Sequence, residues 1–144
     1  MTRTVTVDFA VPVEVAFTYL LEPRNRPEWQ SSLAGIVPID RGTPYVGMRW
    51  RDVTKVGVQP QMEITAIEQD RSWTERGTWR GIAAELTLHY EPTTAGCRVR
   101  AEFAITGRGP FRPLGPVLSF AGLSAVAPDL KRAAQILLDR GSAQ

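Results

Sequence analysis

The sequence predicts an α+β fold: a curved antiparallel sheet of about seven strands wrapped around one long C-terminal helix, with two short helices after the first strand. Three observations carry this expectation. Residues 33–106 alternate between apolar and polar side chains in six short runs, a further alternating run opens the chain, and one long apolar segment, residues 114–138, follows the last run. One helix is thus left to cover one sheet, and a curved sheet closed over a single helix tends to enclose a cavity.

The first strand is read from Val5, Val7 and Phe9 alternating with Thr4, Thr6 and Asp8, which gives one dry and one wet face. Pro12 then suits the first position of a helix and Glu14 favours its positive end. Val11, Val15 and Tyr19, four apart, predict the apolar stripe of that helix, widened by Phe17, Leu20 and Leu21. Pro23 ends it, because proline disfavours helical geometry in the residue before it. Asn25-Arg26-Pro27-Glu28-Trp29 reads as a second helical start.

Six strands are then predicted at residues 33–39, 47–56, 61–69, 72–80, 82–91 and 97–106, punctuated by segments rich in glycine, proline and aspartate. Short connections make them an antiparallel meander. In the last segment Leu123, Val126, Leu130, Ala134 and Leu137 recur at steps of three and four, so one stripe faces the sheet. Pro128 interrupts this helix, which predicts a kink or a restart with Asp129 in the new first turn. The portion before it, with Gly115, Ser119, Gly122 and Ser124, is expected to be the less stable half and a candidate gate.

Residues 1–144 suit a single domain large enough to give up part of its core to a pocket. The opening Met1-Thr2-Arg3-Thr4-Val5 has no apolar signal core and no stretch approaches the length of a membrane span, so a cytoplasmic protein without stable membrane insertion is expected. A lone Cys97 and a lone His89 leave no Cys/His set for zinc, and neither a metal nor another cofactor is expected. Fifteen of the seventeen basic residues are arginine, a hint of a GC-rich bacterial genome, while a net charge of +2 is too small for a nucleic-acid footprint. No phosphate-binding glycine loop and no serine nucleophile motif is present.

Alternation also sorts side chains into faces. On 82–91, Ile82, Ala84, Leu86, Leu88 and Tyr90 face inward, and His89, the obvious general base by residue type, faces outward. On 97–106, Cys97, Val99, Ala101, Phe103 and Ile105 face inward, which makes Cys97 a small core hydrophobe; Arg98 and Arg100 become outward rungs opposite acidic neighbours. Two strands break the clean pattern. If Met48, Trp50 and Val56 face inward, Asp52 and Thr54 come with them, and if Trp73 and Trp79 face inward, so do Glu75 and Gly77. A carboxylate on an apolar face needs a partner or a raised pKa, so Asp52, Glu75 and Tyr90 form the candidate polar cluster. The alternative is that Asp52 or Glu75 sits at a strand end or bulge and pairs with Arg49, Arg51 or Arg76. Trp50, Trp73 and Trp79 offer flat surfaces for a ring-bearing ligand, and Met62, Phe103, Phe120 and Leu123 complete the expected lining.

Several local patterns resemble the START-like helix-grip (SRPBCC) superfamily and, within it, the polyketide cyclase/dehydrase-like family. They are Val11-Pro12-Val13-Glu14-Val15-Ala16-Phe17, Asn25-Arg26-Pro27-Glu28-Trp29, Val46-Gly47-Met48-Arg49-Trp50, Glu63-Ile64-Thr65-Ala66-Ile67-Glu68, Gly96-Cys97-Arg98-Val99, and the loop from Gly107 that feeds Asp129-Leu130-Lys131-Arg132. The resemblance covers nearly the whole chain and implies a carrier or sensor of a hydrophobic, ring-containing small molecule, as a monomer or homodimer. It also admits a polyketide cyclase or dehydratase with Glu75 as base and Tyr90 as acid. A third possibility is a protein or RNA interaction module presenting Arg98, Arg100, Arg108 and Arg112, against which the low net charge stands.

Overall fold

In a computed structural model, which describes residues 2–107, 109 and 115–142 with the side chains of 115–124 and 142 left out, the alternating runs form one seven-stranded antiparallel sheet. The elements are β1 (Arg3–Phe9), α1 (Val13–Leu21), a 3-10 turn (Pro23–Asn25), α2 (Arg26–Trp29), β2 (Leu33–Pro38), β3 (Arg49–Thr54), β4 (Gln61–Glu68), β5 (Ser72–Trp79), β6 (Ile82–Thr93), β7 (Gly96–Gly107) and α3 (Gly115–Ser142). The strand order is β1-β7-β6-β5-β4-β3-β2: a meander from β2 to β7, to which β1 adds at the far edge. α3 packs on β1 and β7 and meets α1 and α2, so helices cover one face of the sheet. This is the helix-grip arrangement expected from the sequence.

Three details differ from the expectation, and a bulge in β4 adds a fourth that alternation does not indicate. Pro12 caps α1 from outside rather than opening it, and the buried face of α1 is Val13, Ala16, Phe17, Leu20 and Leu21 with Tyr19, while Val15 is exposed. The buried stripe steps from Val13 to Ala16, Phe17 and Leu20, which leaves Val15 on the outer side. β3 ends at Thr54, so Val56 is not an inward strand residue; it lies in the following turn, 86% exposed. α3 runs unbroken through Pro128, without the restart that a lost backbone hydrogen bond suggested. In β4 a bulge between Ile64 and Ala66 shifts the phase, so Met62, Ile64 and then Ile67 point toward the helices. Ser119, Phe120, Leu123, Ser124 and the expected gate lie outside the described side chains.

The packed core fills only one end of the space between sheet and helices. Phe9, Phe17, Leu20, Trp73, Leu88, Tyr90, Cys97, Val99, Leu130 and Ala133 are buried there, with the Phe17 and Tyr90 rings edge to face at 5.1 Å. Gly96 seals that end. A Cβ there would meet the Phe9 carbonyl oxygen and the Val11 nitrogen at once, so only glycine lets the β6–β7 turn lie against the end of β1. Further along the same strands the inward side chains remain apolar but are only half-buried: Ile82, Ala84 and Leu86 on β6, Phe103 and Ile105 on β7, Trp79 on β5. These side chains border open space rather than a packed layer.

Candidate functional site

That space is a cavity of about 590 Å³. Its walls are Met62 of β4, Gly77 and Trp79 of β5, Ile82, Ala84, Leu86 and Leu88 of β6, Phe103 and Ile105 of β7, and Val126 and Leu130 of α3. Gly77 keeps the wall thin: a Cβ there would stand 2.6 Å from the Met62 sulfur. The volume lies within the range of small-molecule pockets, and the apolar wall supplies the non-directional part of binding.

The floor of the cavity, where the packed core begins, is polar. Asp52 of β3, Glu75 of β5, Arg26 of α2 and Asp129 of α3 all line it, each at most 6% exposed. The Arg26 Nη2 donates to Glu75 Oε2, and its Nη1 donates to Gln30 Oε1 at 2.9 Å. The guanidinium also stacks between two indoles, with its carbon 5.2 Å from the Trp29 ring centre and 5.4 Å from that of Trp73. Burial works against its charge, but the adjacent Glu75 and Asp52 carboxyls outweigh that and hold its pKa above the ordinary value. For Asp52 the charged form is disfavoured instead. Burial pushes its pKa up to about 6, against the pull of Arg26, and its Oδ1 accepts from Trp50 Nε1 at 2.9 Å.

A single turn such as α2 is too short to hold its shape alone, and the sequence ties it down on both sides. Asn25 Nδ2 donates to the Tyr19 carbonyl at 3.1 Å. Glu28 accepts from the Tyr19 hydroxyl at 2.8 Å and from Arg140 Nη2 at 2.9 Å, and the Arg140 guanidinium lies over the Tyr19 ring. Asp129 Oδ1 accepts from the Ser31 amide at 3.2 Å, joining α3 to the segment after α2. These contacts hold Arg26 and Trp29 in the cavity lining.

Of the residues singled out from the sequence, Asp52, Met62, Glu75, Trp79 and Phe103 line the cavity. Trp50 stands behind Asp52 as its hydrogen-bond donor and does not reach the space. Trp73 and Tyr90 are likewise not among the lining residues: they belong to the packed core, where Trp73 Nε1 donates to the Tyr90 hydroxyl at 2.7 Å. Burial drives the Tyr90 pKa well above the usual phenol value. Phe120 and Leu123 fall outside the described side chains. Glu75 pairs with Arg26 rather than with Arg49, Arg51 or Arg76. The sequence reading missed Arg26, Trp29, Gln30 and Asp129 as lining residues. Arg26 and Trp29 sit three apart on one helical turn, a spacing that puts both on one face and could have flagged them.

Elsewhere the faces fall as the alternation predicts. His89 lies on the outer face with Nε2 3.3 Å from Glu102 Oε1, and Cys97 is buried, its thiol pushed up to about 11 chiefly by burial. Arg98 pairs with Asp8 at 2.8 Å and Arg100 with Glu102, so these two outward arginines are matched by acids; Arg108 and Arg112 lie outside the described residues.

The chain belongs to the family described as polyketide cyclase / dehydrase and lipid transport, whose profile matches residues 1–140. Among curated proteins none matches it. Solved structures share its fold at low identity. The protein MLL2253 from Mesorhizobium loti is 20% identical with a TM-score of 0.76, covering 97% of this chain and 98% of that one. A START superfamily protein from Mycobacterium smegmatis is 14% identical with a TM-score of 0.76, covering 94% and 98%. The di-domain ARO/CYC StfQ of the steffimycin biosynthetic pathway is 17% identical with a TM-score of 0.78, covering 98% of this chain and 51% of StfQ. No helix among the described residues is long and apolar enough to cross a membrane.

Proposed function

We propose that this protein binds one hydrophobic, ring-containing small molecule in the cavity between the sheet and α3, as a cytoplasmic carrier or sensor. The observation that carries this reading is the run of inward-facing apolar side chains, Trp79, Ile82, Ala84, Leu86, Phe103 and Ile105, left half-buried around about 590 Å³ of space. Leaving so much inward apolar surface uncovered forgoes stabilisation at about 25 cal/mol per Å², which a bound apolar ligand restores. The family and the fold both accord with such a role. Native mass spectrometry of the protein as purified, with its denatured extract analysed for small molecules, tests it. A bound species of a few hundred daltons is expected. A ligand-free mass that persists after incubation with a hydrophobic metabolite library contradicts it.

A second reading, a cyclase or dehydratase, is favoured by one feature: Asp52, with a pKa of about 6, borders the cavity. A carboxyl in that range can donate or accept a proton near neutral pH, while the wall holds a flexible poly-carbonyl chain in a reactive conformer. Asp52 then takes the acid role that the sequence assigned to Tyr90, with Glu75 remaining the base. Loss of turnover in Asp52→Asn with binding retained supports this reading, and unchanged turnover removes Asp52 from the mechanism.

A further inference from the structure

The floor of the cavity constrains the ligand more narrowly than its walls do. The charged groups among the described lining residues are Arg26, Asp52, Glu75 and Asp129, three carboxyls against one guanidinium. An anionic head entering this space meets an excess of like charge in a poorly solvated site. The fixed hydrogen bonds also leave capacity unused. Arg26 Nε and Trp29 Nε1 are buried donors without a partner, although their residues are 1% and 4% exposed and both border the cavity. Asp52 Oδ1 is taken by Trp50, and Oδ2 has no hydrogen-bond partner among the described residues. A buried N–H left unpaired is costly, so the site is incomplete when it holds only apolar surface.

Resting on the ligand-binding reading above, we propose that the occupant is an uncharged aromatic molecule that places a hydroxyl group on this floor. A hydroxyl both donates and accepts. Its proton goes to Asp52 Oδ2, and its oxygen accepts from Arg26 Nε or Trp29 Nε1, which lie one helical turn apart. A carboxylate ligand supplies no proton for Asp52, and a plain hydrocarbon satisfies none of these atoms.

Three probes of similar size and ring system separate the possibilities: 2-naphthol, 2-methylnaphthalene and 2-naphthoate, each titrated calorimetrically at neutral pH. We expect 2-naphthol to bind at least tenfold more tightly than either of the others. In Asp52→Asn the penalty against 2-naphthoate should shrink several-fold, and in Trp29→Phe the ratio of 2-naphthol to 2-methylnaphthalene should narrow, with folding of both variants checked by circular dichroism. Equal affinity for all three probes, or preference for 2-naphthoate, overturns the hydroxyl proposal and leaves the cavity as a ligand site. Binding of none of them, together with a ligand-free native mass, overturns the cavity reading and this proposal together.

Discussion

Arg26 and Glu75, 49 residues apart in sequence, meet as a buried ion pair on the cavity floor, each at most 4% exposed. Burying either charge alone is far costlier than burying both. Glu75→Leu therefore strands the guanidinium with only Asp52 to offset it, and stability should fall by about 3 kcal/mol, read as a lower urea midpoint with an unchanged slope. A midpoint equal to the wild type would mean that water already solvates Arg26.

Asp52 predicts an unusual pH dependence. Burial raises its pKa from 3.8 to about 6, so the folded protein holds this proton more tightly than the unfolded chain does. Unfolding between about pH 4 and pH 6 then releases a proton. The contribution of this group to stability falls as the pH rises through that window, by up to about 3 kcal/mol, and levels off above it. Urea midpoints measured across the window should show this trend as the difference between wild type and Asp52→Asn, in which it is removed. Parallel curves for the two proteins contradict it.

Trp73 and Tyr90 form a buried hydrogen bond within the packed core, behind the cavity lining. Tyr90→Phe leaves the indole N–H unpaired and should cost about 1–3 kcal/mol in chemical denaturation. Ligand affinity should change less than twofold, whereas a large loss of affinity with stability intact would place Tyr90 in the site.

How far the sequence could be read follows from which interactions are local. Period two alone put Asp52, Glu75, Trp79 and Phe103 on the inner face, because alternation depends on nothing beyond the strand itself. It could not tell which inward residues would be packed over and which left facing space. Trp73 and Trp79 share one face of β5, yet one is core and the other cavity wall: the Arg26 guanidinium of α2 lies over Trp73, while Trp79 borders open space. Arg26 was hidden for a related reason. Its role comes from a partner on β5 and from a single turn held by Tyr19, Glu28 and Arg140, all tertiary contacts. Of the kink or restart that local propensity offered at Pro128, the restart does not occur, because a helix packed on the sheet along one face carries a proline that an isolated helix would not.

Filling the cavity separates its occupancy from the integrity of the fold. Ala84 borders the empty space and faces Gly77 across β5 and β6, so Ala84→Phe places a ring where no side chain stands. The most direct measurement is a titration of Nile red, an uncharged probe whose emission shifts to the blue in apolar surroundings, into wild type and Ala84→Phe side by side. One blue-shifted molecule per wild-type chain, and none in a variant that melts at the same temperature or higher, is the expected result. Equal binding by both proteins, or no shift with the wild type, would show that this interior does not hold a ligand.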